Sequence, residues 1–276
     1  MATKSVLITG AGGGLGRALL ELLVSHEWRV FATDYCEEAL DHVRHDPDVI
    51  PLVMDVTDQA SVESAFAQVS AKTDRLDGIV NFAGILAVVS MVDMPEEQLQ
   101  RVLDVNLMGT YRTNKAFFPL VHAAKGRIVN ISSETGWQSA APFNGAYAMS
   151  KHAIEAYSDS LRRELALLGV KVIKVQPGAF KTSMLHSIEK KFNEAEQSST
   201  YFPRVLRRLK ALAAKTTDKG HDPDELAEVI YRALSSKAPK ASYSVKPDPS
   251  RSVLEWLPRR VADAIWLAVL GKAKHS

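Results

Sequence analysis

Short β-branched runs alternate with longer helical patterns along most of this 276-residue chain. SVLIT (5–9) precedes an amphipathic stretch from Leu15 to His26, WRVFATD (28–34) precedes CEEALDHVRH, and VIPLVMD (49–55) precedes DQASVESAFAQVSA. GIVNFA (78–83) leads through a loop to PEEQLQRVLDVNLMGTYRTNKAFFPLVHAA, and GRIVNISS (126–133) leads to a further helical segment. VKVIKVQPG (170–178) and ASYSV (241–245) complete seven candidate strands. The runs are continuously apolar rather than alternating, so both faces of each strand should be buried, and strand–helix alternation calls for parallel crossovers. The expected fold is α/β: a doubly wound, seven-stranded parallel sheet with helices on both faces.

No internal repeat or Pro/Gly/Ser-rich linker divides the chain, and α/β domains of this length are common, so residues 1–276 are expected to form one domain. A long connection after the sixth strand predicts a lid insertion at about 183–216, and an apolar tail predicts a helical extension at about 250–276. Between them, HDPDELAEVIYRAL reads as a helix with Asp222 near its N-cap and Pro223 in its first turn. A formal charge of +2 gives no reason to expect nucleic acid as a partner. Cys36 is the single cysteine, which excludes an intrachain disulfide. The N-terminus enters an apolar strand almost at once, and no run reaches the roughly 18 apolar residues of a membrane span, so the expected location is cytoplasmic. No His/Cys/Asp/Glu cluster has metal-ligand spacing, and no catalytic metal is expected.

TGAGGGLG (9–16) sits directly between the first strand and its helix. Glycines there let the backbone turn sharply and approach a pyrophosphate, whose charge the helix N-terminus meets. Asp34 ends the second strand 18 residues past Gly16. A carboxylate at that point accepts from the adenosine ribose hydroxyls and repels a 2′-phosphate. No Lys or Arg lies among Ala11, Gly12 and Gly13, so NAD is favoured over NADP; Arg17 could approach a phosphate or lie over the helix surface.

YAMSK places Tyr147 and Lys151 four residues apart, one helical turn on one face. Together with the loop, these motifs resemble the short-chain dehydrogenase/reductase family, in its shorter-chain, Rossmann-fold branch, over about residues 4–245. The resemblance maps Gly10, Gly14 and Gly16, with Leu15 between the last two, onto that branch's phosphate loop. It maps Asp55 and Val56 of MDVTD beside the adenine. NFAG matches the Asn-Asn-Ala-Gly turn with a cofactor-facing backbone at Asn81, Ala83 and Gly84, except that Phe82 replaces the second asparagine. Pro177, Gly178 and Thr182 of PGAFKT match the second cofactor loop, with Thr182 implied to bind the carboxamide. Asn106 of DVNLMGTY matches the catalytic-helix asparagine, implied to support a water-linked proton path. Ser133 is the better catalytic serine, because Glu134, Thr135 and Gly136 follow it as the pattern requires, while Ser132 alternates to the other face of the strand.

The implied chemistry is oxidation of a carbinol or reduction of a carbonyl. An unperturbed phenol, with a pKa of about 10, is a poor base at neutrality. The Lys151 ammonium and a positive nicotinamide ring are expected to favour the Tyr147 phenolate, Ser133 to hold the substrate oxygen, and Lys151 also to contact the nicotinamide ribose. His152 points around the helix from Tyr147 and is no promising acid or base. Trp137, Gln138, Phe143 and Asn144 lie between Ser133 and Tyr147, with Trp137 and Phe143 expected to border the substrate. Met184, Leu185, Ile188, Phe192, Tyr201, Phe202, Leu206 and Leu209 form either a packed lid or an apolar pocket. The tail with Trp256, Trp266, Arg259 and Arg260 reads as a packing or dimer contact in preference to an interfacial membrane helix. The long insertion and tail resemble the retinol- and hydroxysteroid-oxidising members. The resulting expectation is an NAD-dependent oxidoreductase interconverting a secondary alcohol and a ketone, with a hydrophobic substrate such as a steroid or retinoid. Family resemblance implies a homodimer or homotetramer. The rival readings are a nucleotide-sugar epimerase-like enzyme and a non-catalytic dinucleotide-sensing protein.

Overall fold

A computed structural model of the chain describes residues 3–217 and 220–271. Seven strands, β1 (Ser5–Thr9), β2 (Arg29–Asp34), β3 (Val49–Val53), β4 (Gly78–Asn81), β5 (Arg127–Ile131), β6 (Lys171–Pro177) and β7 (Ser242–Val245), form one sheet in the order β3-β2-β1-β4-β5-β6-β7. All six pairings are parallel, with Val6 in register with Val30 on one side and Gly78 on the other. The helices are α1 (Gly14–Ser25), α2 (Gln59–Ser70), α3 (Glu96–Leu103), α4 (Gly109–Ala124), α5 (Gly145–Ala166), α6 (Ser183–Ser198), α7 (Pro203–Thr217), α8 (Pro223–Ser235), α9 (Pro249–Leu254) and α10 (Arg259–Leu270).

The continuous apolar strands are explained by two cores, one on each side of the sheet. Val6 and Ile8 point into the core closed by Leu19, Leu20 and Leu23 of α1 and Ile230 and Leu234 of α8. Leu7, between them, points into the opposite core with Val62 of α2, Phe117 and Val121 of α4 and Leu165 of α5. Successive strand residues face opposite ways, so a strand covered on both sides must be apolar at every position. Each such side chain contributes about 1.5–3 kcal/mol when fully buried. Asp222 caps α8 by accepting from the Asp224 amide, and Pro223 opens its first turn.

Two helical readings need correction. CEEALDHVRH forms a six-residue 3₁₀ segment, Glu38–Val43, that buries only Leu40 and Val43, too little apolar surface for a full helix ahead of Pro47. The long pattern after β4 is broken by a π turn at Asp104–Met108, between α3 and α4. At its centre is Asn106, whose side chain binds backbone elsewhere, as described below.

The chain order reverses at β1 and β4: β2 and β3 lie on one side, β5 to β7 on the other. The crevice beyond the carboxyl ends of β1 and β4 is where open α/β sheets bind ligands. The insertion expected at 183–216 consists of α6 and α7, and the expected extension contains α9 and α10, its last residues (272–276) lying outside the described chain. Among the described residues, no helix is long and apolar enough to cross a membrane.

Candidate active site

The loop leaving β1 is built from backbone. Gly10 adopts φ +67°, and a Cβ on it would sit 2.9 Å from the Ala83 nitrogen in the turn after β4. A Cβ on Gly16 would overlap the Gly10 carbonyl, so only glycine lets the helix start this close to the loop. Gly13 is the N-cap of α1 with no side chain capping that end, which leaves the positive end of the helix dipole at the crevice. Leu15 packs its side chain against the α1-side core. Thr182 lies against Gly14, at 3.1 Å from a Cβ built there, so the loops after β1 and β6 meet.

Asp34, buried at the end of β2, accepts from the Gly12 amide (2.9 Å) through Oδ2 and the Tyr35 amide (2.9 Å) through Oδ1. Arg17 lies over the loop, its Nε donating to the Gly12 carbonyl (2.7 Å). Asp55 is occupied locally by the Thr57 amide (2.9 Å) and hydroxyl (2.7 Å), while buried Val56 packs against Gly109. The turn after β4 is tied to β1: the Phe82 amide donates to the Thr9 carbonyl (3.2 Å) and the Ala83 amide to the Thr9 hydroxyl (3.1 Å). Phe82 packs its ring on the α1-side core, so replacement of asparagine there leaves no polar side chain stranded. Gly84 lies beside Asn106, and Pro177 and Gly178 lead from β6 toward Thr182. A side-chain-free turn at an uncapped helix end, a carboxylate at the end of β2 and backbone from two more loops fit a dinucleotide lying across this crevice.

Beside the crevice, α5 carries Tyr147 and Lys151, and β5 ends at the serines. Lys151 Nζ donates to the Ile131 carbonyl (2.8 Å) and lies 5.6 Å from the centre of the Tyr147 ring. Ser133 caps the short turn Glu134–Gly136, accepting from the Thr135 amide (3.2 Å), and lies close enough to the Tyr147 phenol to lower its pKa. Ser132 instead donates to the Lys151 carbonyl (3.4 Å). Asn106 is fully buried: Oδ1 accepts from the Ile85 amide (2.7 Å), while Nδ2 donates to the Ile85 carbonyl (3.0 Å) and to Ser150 Oγ (2.9 Å). It joins the turn after β4 to the helix of Tyr147. Thr182 also N-caps α6, accepting from the Leu185 amide (3.4 Å), so it serves the helix as well as facing the loop.

The electrostatics of the protein alone run against the expected phenolate. Burial pushes the Tyr147 phenol up to about 12, with Ser133 lowering and Glu134 raising it. Burial pulls Lys151 down to about 8, partly offset by Glu155. Desolvation disfavours whichever form is charged, and without further positive charge it outweighs the lysine one turn away.

Trp137 is 40 % exposed just after the Ser133 turn. Phe143 takes a left-handed φ of 66° and meets Phe202 edge-on at 5.5 Å. Its carbonyl accepts from the Val89 amide (2.9 Å). Phe192 and Leu206 are buried between α6 and α7 with Phe143 and Val88 beside them, so this part of the apolar stripe packs as a lid. Met184 and Tyr201 remain exposed. Asp93 holds the junction of α6 and α7, accepting from the Ser199 hydroxyl at 2.7 Å.

Sequence reading missed several members. Ser150, inside YAMSK itself, links Asn106 to the Tyr147 carbonyl (2.7 Å). Asn81, read for its backbone, donates from Nδ2 to Asn114 (2.8 Å) and Asn130 (2.9 Å), locking β4 to α4 and β5. The polar Asn130, set between Val129 and Ile131 in β5, was the available signal.

The family model for short chain dehydrogenases matches residues 4–193. The chain is 32% identical to retinol dehydrogenase 7 of Mus musculus over 96% of its length and 89% of that protein's. It is 33% identical to 17-beta-hydroxysteroid dehydrogenase type 6 of Homo sapiens, over 95% and 87% respectively. In fold it resembles a short chain dehydrogenase from Burkholderia cenocepacia in complex with NADP, with a TM-score of 0.74, 23% identity and coverage of 96% of this chain and 98% of that one. The chain belongs to the short-chain dehydrogenase family, oxidoreductases that use NAD or NADP on small-molecule alcohols and ketones.

Proposed function

We propose that this protein is an NAD-dependent dehydrogenase of a hydrophobic alcohol, interconverting a secondary alcohol and its ketone, with a steroid as the first substrate class. A retinoid is the second; its alcohol is primary, so the carbonyl product is an aldehyde. The observation that carries the reading is the convergence of Ser133, Tyr147 and Lys151 beside a crevice that fits a dinucleotide. The names of the retinol and hydroxysteroid dehydrogenases that this chain resembles support the substrate class.

The nicotinamide of the bound cofactor supplies or receives the hydride. Every other duty falls to the chain. In reduction, Tyr147 donates its hydroxyl proton to the substrate oxygen; in oxidation, its phenolate takes that proton back. Ser133 holds the same oxygen by a hydrogen bond, as developing negative charge requires. Lys151 places positive charge one turn from the phenol and reaches toward the nicotinamide ribose. Asn106 fixes the turn after β4 against α5 and supports the proton path. Asp34 keeps acceptor capacity for the ribose hydroxyls beyond its two amide partners, and its negative charge opposes a 2′-phosphate. Gly10, Gly14, Leu15 and Gly16 cradle the pyrophosphate, Asp55 and Val56 border the adenine, and Asn81, Ala83, Gly84, Pro177, Gly178 and Thr182 line the rest of the crevice. Trp137 and Phe143 flank the substrate. Assembly as a homodimer or homotetramer and a cytoplasmic location belong to the same reading.

The test is a spectrophotometric screen of estradiol, all-trans-retinol and short aliphatic secondary alcohols with NAD and with NADP. Turnover of the bulky alcohols with NAD supports the proposal. A preference for NADP would overturn the Asp34 argument, and turnover confined to short alcohols would overturn the substrate class.

A further inference from the structure

The chain leaving β7 runs over both loops that build the site. The Gly178 amide donates to the Val245 carbonyl (2.9 Å), and Gly178 has no room for a Cβ because the Lys246 carbonyl lies against it. Two residues later the Asp248 amide donates to Glu134 Oε2 (2.6 Å), next to Ser133. Ser252, on α9, accepts from Nε2 of fully buried Gln138 (3.3 Å). Glu255 then takes Ser139 with both oxygens, from the amide at 2.8 Å and the hydroxyl at 2.9 Å. Arg251 reaches the Ser139 carbonyl (3.5 Å). The segment therefore touches the cofactor loop at Gly178 and brackets the Ser133 turn and Trp137 at Glu134, Gln138 and Ser139.

We infer that residues 246–255 are a positioning strap that fixes the Ser133 turn relative to the cofactor loop, with Glu134 and Glu255 as its positioning residues. The inference rests on the dehydrogenase reading of Ser133 and Tyr147. Ser133 must meet the substrate oxygen while the cofactor loop sets the hydride position, and the strap makes these two placements mutually dependent. A carboxylate that accepts two donors from one residue holds it in one orientation. Around Glu134 stand the Asp248 amide and carboxylate, Arg251 and Gln138, while burial raises its carboxyl above the ordinary range.

The test compares Glu134→Ala, Glu134→Gln, Ser139→Ala and Glu255→Ala with the intact chain. Hydrogen exchange of residues 133–140, read with no substrate present, should quicken about tenfold in Glu255→Ala and Glu134→Ala, the scale of one lost charge-assisted bond. With estradiol and NAD, kcat should fall about 10- to 100-fold through misplacement alone, while Tm and NADH affinity hold. Glu134→Gln, which keeps a carbonyl for the Asp248 amide, should recover most of the loss. Ser139→Ala alters an exposed position that tolerates the change and should show a smaller effect of the same kind. Unchanged exchange overturns the strap, and so does a kcat loss that only tracks a loss of Tm and NADH binding. Full turnover by Tyr147→Phe would instead overturn the dehydrogenase reading and leave the exchange result to judge the strap by itself.

Discussion

A half-buried phenol and a buried ammonium in one crevice are each driven toward their neutral forms. Tyr147 stands at about 12 and Lys151 at about 8 in the protein alone. Oxidation needs the phenolate and reduction the phenol, so alcohol oxidation should rise with pH while carbonyl reduction falls at the alkaline end. Steady-state profiles in both directions check this; a flat oxidation profile would sink Tyr147 as the base. Tyr147→Phe should bind NADH with wild-type affinity and lose about 10²–10⁴ in kcat, the usual scale of acid/base catalysis. For Lys151 the folded-state pKa is depressed, so its burial costs stability fully below pH 8 and ceases to cost as pH rises toward the unfolded value of 10.5. Lys151→Met should therefore lose turnover yet keep or raise Tm at neutral pH, measured by calorimetry. A clear fall in Tm would mean that the Ile131 bond outweighs desolvation.

At the scale of elements, the π turn between α3 and α4 is a joint held by one side chain. Asn106 satisfies both the amide and the carbonyl of Ile85 and reaches Ser150 on α5. Asn106→Ala leaves these groups without partners and should cost about 2–4 kcal/mol in denaturant unfolding. Asn106→Asp, which keeps an acceptor for the Ile85 amide but not the donor, should fall between. Loss of less than half that amount would show that the π turn is held by its own packing. The α6–α7 pair is anchored from outside, by Asp93 on Ser199 and by Phe143 against Phe202, so its position depends on contacts far apart in the chain.

For the whole molecule, the reversal of strand order at β1 and β4 opens one crevice, and the loops from β1, β2, β4 and β6 all lead toward it. A ligand that binds only the folded state stabilises it by mass action, about 2.7 kcal/mol at a hundredfold excess over Kd. In a chain of this size that corresponds to an upward Tm shift of roughly 5–10 °C with NADH. NADPH at equal concentration should give a smaller shift, and Asp34→Ala should narrow the difference. Equal shifts in the intact chain would remove Asp34 as the discriminating residue.

The seven strands, their parallel pairing and the glycine loop were readable from sequence because each rests on local pattern. Apolar runs of five residues between helical stretches have few other ways to be buried, and glycine spacing reports backbone room directly. The residues placed at the site were readable through ordered motifs. Other features depended on neighbours that no local window contains. The π turn at Asn106, the asparagine lock of Asn81, Asn114 and Asn130, and the bonds from residues 248–255 to the Ser133 turn join segments tens of residues apart. The charge states of Tyr147 and Lys151 were decided the same way. From the sequence, the ammonium and a positive nicotinamide ring together were expected to favour the phenolate. Burial, a property of the packed crevice, pushes the phenol the other way in the protein alone, because in a low-dielectric interior the loss of solvation disfavours the charged form.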